Sequence, residues 1–165
     1  AIALTAPFTL LTGLAYPLAM TGLSQTLFPA AANGSLIERD GAVIGSALIG
    51  QGFAGDAYLH PRPSASDWDA AGTGASNLGP TSAAQVATVA DRRAAWEAAN
   101  GTAAPIDAVT ASGSGLDPHV SPETAPAQAA RIAAARRADA SAVQSLIEAA
   151  VEGPFLGLYG ERRVN

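Results

Sequence analysis

Ser112, Ser114, Asp117 and His119 crowd into one glycine-rich run, VTASGSGLDPH. Serine, aspartate and histidine are the parts of a nucleophilic triad, and a glycine-rich turn can aim backbone N–H groups at an oxyanion. The spacing argues against that chemistry. Gly113-Ser114-Gly115 lacks the G-x-S-x-G elbow, and triad members converge from distant segments rather than from a single loop. A structural loop explains the run better: its Ser and Asp side chains bond their own backbone while glycine supplies positive φ. A membrane-anchored extracytoplasmic serine hydrolase using Ser114 and His119 is kept as the alternative function. His60 and His119 could share a metal with Asp56, Asp67, Asp69 or Asp117 if their loops met, but no spacing specifies it. His60-Pro61-Arg62-Pro63 reads instead as a rigid extended segment whose histidine and arginine bond neighbouring loops. Gly72 to Pro80 (GTGASNLGP) departs from G-x-G-x-x-G and follows no strand, so tight turns account for it better than a phosphate cradle does.

Composition excludes much else. The chain has 165 residues, 14 acidic and 9 basic, for a formal charge of −5. That balance offers no basic face to a nucleic acid. All 9 basic residues are arginine, which removes the Walker A lysine and Schiff-base chemistry. Zero cysteine removes disulfides, thiol nucleophiles and thiolate metal sites.

The elements that must position these loops divide sharply by charge. Glu38 is the first charged side chain, and before it Ala1 to Leu23 contains no charged residue, His, Asn or Gln. As a helix that run would reach about 34 Å, enough for a hydrocarbon core of roughly 30 Å. Its threonine hydroxyls can bond carbonyls one turn back, while Pro7 and Pro17 each free a carbonyl. A buried core helix and a signal peptide cleaved after Ala30-Ala31-Ala32 compete with the span. The run is longer than the usual apolar region of a signal peptide and lacks a charged lead, so the span is preferred. The acidic, lysine-free remainder suits export, which puts the N-terminus in the cytoplasm and the bulk outside. Thr5, Thr9, Gly13, Pro17 and Thr21 recur every fourth residue. Thr9, Gly13 and Pro17 at the centre of this ridge are candidate helix-packing positions, though chance in a Thr-, Ala- and Leu-rich segment explains the ridge as well.

We therefore expect a single transmembrane helix and membrane exit over residues 1–27, then one loop-rich extracytoplasmic α+β domain over 28–165. A hairpin should turn at Asp40-Gly41, with a bulge or close backbone approach at Gly45 and Gly50. Residues 51–81 should be irregular. Ser82 and Gln85 form a capping box for a helix ended by Asn100-Gly101, with Val86, Val89, Ala90 and Trp96 inward. Ile106 to Ala111 reads as a strand. A helical stretch from Ser121-Pro122 should split at Pro126 before an alanine-rich run to Ala138. Asp139 should cap a last helix carrying Val143, Leu146, Ile147, Ala150 and Val151 inward up to Gly153-Pro154, and LGLYGERRVN should form a closing strand.

Several of these segments together resemble the C subunit of the bacterial Kdp potassium-transporting ATPase. They are LLTGLAYPL (Leu10 to Leu18), LFPAAANGSLI (Leu27 to Ile37), GSALIGQGF (Gly45 to Phe53), YLHPRPSA (Tyr58 to Ala65), SNLGPTS (Ser76 to Ser82), VTASGSGLDPHVSPE (Val109 to Glu123) and GERRVN (Gly160 to Asn165). They keep the family order over nearly the whole chain; Leu59 stands where the family pattern has an aromatic. The resemblance implies a non-catalytic accessory subunit of a high-affinity, ATP-driven potassium uptake complex in the bacterial inner membrane. Its partners would be a P-type ATPase subunit, a channel-like potassium-selective subunit and membrane lipid. It also implies that the chain supports assembly and raises the ATPase subunit's ATP affinity, as a catalytic chaperone. ATP is implied only at or through that subunit, since no phosphate-binding pattern matches here. On this reading His60, Arg62, Ser114, Asp117 and His119 hold the fold or face the channel-like subunit.

Overall fold

A computed structural model describes residues 1–165, which divide into two compact units, Ala1–Leu48 and Ile49–Asn165. In the first, an apolar helix runs over Ile2–Leu27, with mean hydropathy 1.5 in a window of which nothing is buried. That exposure removes the core-helix reading, and the length suits a bilayer. The helix comprises α1 (Ile2–Leu10), a π-helical turn (Leu11–Ala15) and α2 (Tyr16–Leu27). Pro17 explains the π turn: it has no N–H for the Gly13 carbonyl, and its ring crowds that oxygen. The backbone widens just before it, and the Tyr16 N–H reaches back to the Leu11 carbonyl. Thr5 and Thr12 donate to the carbonyls of Ala1 and Phe8 at 3.1 and 2.7 Å, as expected of hydroxyls in an apolar helix.

A short helix, α3 (Pro29–Ala32), leads to the antiparallel hairpin β1 (Leu36–Arg39) and β2 (Ala42–Ser46). Asp40 (φ 53°) and Gly41 (φ 76°) both take the left-handed conformation that a two-residue hairpin turn needs. The register steps between Ile37 and Glu38, a bulge beside Gly45 as the sequence suggests.

The second unit opens with a stretch free of helix and strand as far as Ser82, then α4 (Ala83–Asn100). The Ser82 hydroxyl accepts from the Gln85 N–H at 3.5 Å, and Gly101 (φ 67°) closes the helix. α5 (Ile106–Val109), α6 (Thr124–Ala127), α7 (Ala129–Arg136) and α8 (Ala140–Ala149) follow, and β3 (Val151–Glu152) pairs antiparallel with β4 (Arg163–Val164). Asp139 caps α8 through the Ser141 N–H at 2.9 Å. The core gathers Val120, Ala125, Ala129, Ile147 and Val164, with Leu59, Val143 and Val151 packed against it.

Several expectations need correction. Ile106 to Val109 is a helical turn rather than a strand, with Asp107 in its first turn, where an acid favours helix. The break between α6 and α7 falls at Gln128 rather than at Pro126; Gln128 keeps a right-handed helical backbone while its side chain bonds the backbone of His60. Val86 and Ala90 face solvent; α4 turns Gln85, Val89, Arg92, Trp96 and Asn100 toward the unit instead. α8 is held mainly by Ile147 and Val143, so Leu146 is 73 % exposed, and Val151 belongs to β3. Of the closing segment only Arg163–Val164 is strand; residues before it form an exposed turn.

Candidate functional site

The irregular 50–74 segment is fixed by hydrogen bonds to two other parts of its unit. The first is the 112–117 turn. Gly50 N–H donates to the Leu116 carbonyl at 2.8 Å, Ser112 N–H to Pro63 at 2.9 Å, and Gly74 N–H to Ser114 at 2.9 Å. A Cβ on Gly50 would come within 2.6 Å of the Asp117 carbonyl oxygen, so the close backbone approach expected there is met. Gly115 is constrained twice: its φ is +74°, and a Cβ there would stand 2.8 Å from the Gly74 carbonyl and still nearer the Ser66 hydroxyl.

The second attachment is α7. Fully buried Gln128 acts as a two-pronged bridge to one residue, its Oε1 accepting from the His60 N–H at 2.8 Å and its Nε2 donating to the His60 carbonyl at 3.1 Å. Arg131 donates to the carbonyls of Asp56 and Tyr58 and to Oε1 of Gln128. Burial of its guanidinium, 6 % exposed, lowers its pKa, while the Asp56 carboxylate at 3.9 Å acts in the opposite direction. Arg136 donates to Ala57 at 2.6 Å and lies 5.4 Å over the Tyr58 ring. Sequence reading missed Gln128 and Arg131. A glutamine and an arginine three apart inside an alanine-rich helix were the available signal.

Three of the five candidate loop residues meet. Arg62 Nη1 donates to Asp117 Oδ2 at 3.1 Å; Asp117 Oδ1 accepts from the His119 N–H at 3.0 Å and lies 3.4 Å from His119 Nδ1. They line a polar cleft of about 230 Å3 together with Asp107, Ser121 and Arg162. His60 is not part of it. Its ring Nε2 lies 3.1 Å from the Gly55 carbonyl within its own loop, and no three His, Asp or Glu side chains converge as a metal site would require. Ser114 is not part of it either: its hydroxyl meets Ser112 Oγ at 3.1 Å and the Leu116 N–H at 3.0 Å. Ser121, the serine that does line the cleft, gives its hydroxyl to Asp107. The geometry therefore does not support the hydrolase alternative: no hydroxyl is set against His119.

Asp107 was also missed. Its carboxylate accepts from the Ser121 N–H at 2.7 Å, the Ser121 hydroxyl at 3.0 Å and the Thr124 hydroxyl, tying α5 to the start of α6. Burial would raise its pKa, but these hydrogen bonds outweigh that and hold the carboxyl below its ordinary range. No local spacing signals an aspartate serving a turn so far along the chain.

The loops are bonded to one another around a polar cleft of balanced charge, in which Arg62 Nε is buried without a hydrogen-bond partner. Of the helix candidates, Gly13 lies in the π turn with nothing within 4 Å of where a Cβ would stand, and Pro17 follows in α2. Thr9 lies in α1 and is exposed.

Comparison with known proteins agrees over the full length. The family model described as KdpC: K+-transporting ATPase, c chain, matches residues 1–165. A potassium-transporting ATPase KdpC subunit from Cereibacter sphaeroides is 67% identical over 165 residues, covering 100% of this chain and 89% of the relative. The proteins of that name from Rhodospirillum rubrum (56% over 170 residues; 100% and 88% covered) and Bradyrhizobium diazoefficiens (51% over 180; 100% and 90%) are also similar. This chain belongs to the KdpC family, the c chain of K+-transporting ATPases.

Proposed function

We propose that the chain is the accessory subunit of a potassium-transporting ATPase complex, anchored by its Ile2–Leu27 helix and working through its loops on the other subunits rather than by chemistry of its own. The observation that carries this reading is the full-length family match, supported by 67% identity to a relative named as the KdpC subunit. The finer reading follows the resemblance of its motifs. The partners are a P-type ATPase subunit and a channel-like potassium-selective subunit. The bulk of the chain lies outside the bacterial inner membrane with the N-terminus inside. The subunit supports assembly and raises the ATPase subunit's affinity for ATP. With ATP in the cytoplasm and this domain outside, that effect is transmitted through the span and neighbouring subunits, without nucleotide contacting the loops. The satisfied Ser112–His119 turn and the absence of a serine aimed at His119 favour a presenting surface over an active site.

A mild-detergent pull-down of the tagged full chain from native membranes under potassium starvation tests it. Co-elution of a P-type ATPase and a large multi-span protein, with potassium-stimulated ATP hydrolysis, is the expected result. Recovery of the chain alone, or as a soluble species beginning at Asn33, would overturn it.

A further inference from the structure

The apolar helix carries an unpaired backbone acceptor near its centre. In an unbroken α-helix the Thr12 carbonyl would accept from the Tyr16 N–H, but that N–H reaches back to Leu11 across the π turn. The next donor in line belongs to residue 17, a proline, and proline has no N–H. Both donors that helical winding could bring to this oxygen are therefore lost. Hydroxyls one turn on serve other carbonyls of the same segment: Thr5 donates to Ala1 at 3.1 Å, Thr12 to Phe8 at 2.7 Å and Thr26 to Gly22 at 2.8 Å. The matching position for the Thr12 carbonyl is Tyr16, whose hydroxyl stands at the far end of a ring and cannot fold back onto the turn before it. Thr12 is exposed and lies near the middle of the 26-residue helix. At that depth hydrocarbon offers neither water nor a donor, and an unsatisfied carbonyl is costly.

The donor must come from outside this chain, and its chemistry follows from the acceptor. A lipid tail cannot supply it. A second copy of the chain is poorly equipped to do so. Helix carbonyls point toward the C-terminal end, so the donor stands level with residues 14 to 17. A parallel copy presents Leu14, Ala15, Tyr16 and Pro17 there, and the Tyr16 ring leans back toward its own N-terminus. Gly13, beside the acceptor, has nothing within 4 Å of where a Cβ would stand, which leaves room for an incoming side chain. We infer that the Thr12 carbonyl accepts a hydrogen bond from a transmembrane helix of a different chain in the ATPase complex. The donor is an uncharged side chain, Ser, Thr, Asn or Gln, facing out of its own helix near the bilayer midplane. The inference rests on the accessory-subunit reading, with Ile2–Leu27 crossing the bilayer, and names the atom at which the span is recognised.

Tyr16→Thr compared with Tyr16→Val, in the tagged full chain co-expressed with the complex, tests it. The two substitutions introduce one shape and differ by a hydroxyl, which Tyr16→Thr turns back onto the Thr12 carbonyl as Thr5 does for Ala1 and Thr12 for Phe8. With its acceptor filled from within, Tyr16→Thr should recover about threefold to twentyfold less of the complex in mild detergent than Tyr16→Val, the worth of one hydrogen bond between membrane helices. Equal or greater recovery, at any level, overturns the acceptor site while leaving the accessory role intact. A wild-type chain that recovers no partner overturns the accessory role and the acceptor site with it. A photoreactive benzophenone amino acid in place of Tyr16 decides independently of recovery. Irradiated in membranes holding the complex, it should join this chain to one other membrane protein, within a turn of a Ser, Thr, Asn or Gln in an apolar segment. Adducts with lipid alone, with a second copy, or with a helix lacking such a side chain there would overturn the proposal.

Discussion

Asp107 shows how one side chain can organise a loop-rich unit. It offers its carboxylate to three donors at the start of α6, and each loses a partner in Asp107→Ala. Hydrogen bonds to a charged group are worth about 1.5–3 kcal/mol, so we expect a loss of about 2 kcal/mol in denaturant unfolding. The same network sets a pH dependence. The folded carboxyl titrates below its ordinary value, so its stabilising contribution is complete above that value and disappears as the pH falls through the lower folded one. Unfolding midpoints measured between about pH 6 and pH 2 should fall more steeply for the wild type than for Asp107→Asn, and parallel curves would rule the network out as the source. Gly115 makes a second case. Gly115→Ala must place a Cβ at φ +74° against the Gly74 carbonyl and the Ser66 hydroxyl, and we expect a loss of about 2–3 kcal/mol with disordering of the 64–74 loop. Hydrogen exchange at the Gly74 amide, which bonds Ser114, would report it.

Elements were legible where their signals are local and hidden where the deciding contact is distant. Ser82, Gly101, Asp139 and Asp40-Gly41 all act within a turn of themselves, and each appears where the sequence placed it. The Ile106–Val109 turn was misread because a short apolar run fits strand and helix alike, and the bond that fixes it runs from Asp107 to Ser121. Leu146 sat on the apolar stripe of α8, but the core receives only part of that stripe. The cleft was half legible: Asp117 and His119 are neighbours in sequence, whereas Arg62 joins them through backbone contacts between two loops. Within the apolar helix, Pro17 forces the π turn that contains Gly13. Residues four apart drift around an α-helix, and the slower winding of a π turn reverses that drift, so Thr9, Gly13 and Pro17 stay closer to one line. Gly13→Leu meets nothing in this chain and should leave the helix intact. If a partner helix packs along that line, the variant should recover the complex poorly from membranes, several-fold below wild type, and normal recovery would sink the ridge.

For the whole molecule, charge separates what crosses a membrane from what does not. The apolar helix has no charged side chain, and beyond it only Arg39 precedes Arg62, flanked by Glu38 and Asp40. Short flanks rich in arginine or lysine are retained in the cytoplasm, and a flank with a single arginine gives little such retention. We propose on this ground that 28–165 is exported, which would separate this chain's loops from cytoplasmic ATP. The lack of cysteine allows a direct test with single reporters. Ala98, exposed on α4, and Ile2, at the start of α1, mark the two ends of the arrangement. In spheroplasts a membrane-impermeant maleimide should modify Ala98→Cys at once and Ile2→Cys only after the membrane is broken. The reverse pattern would place the loops beside the nucleotide, and a direct effect on ATP binding would then replace one transmitted through the span.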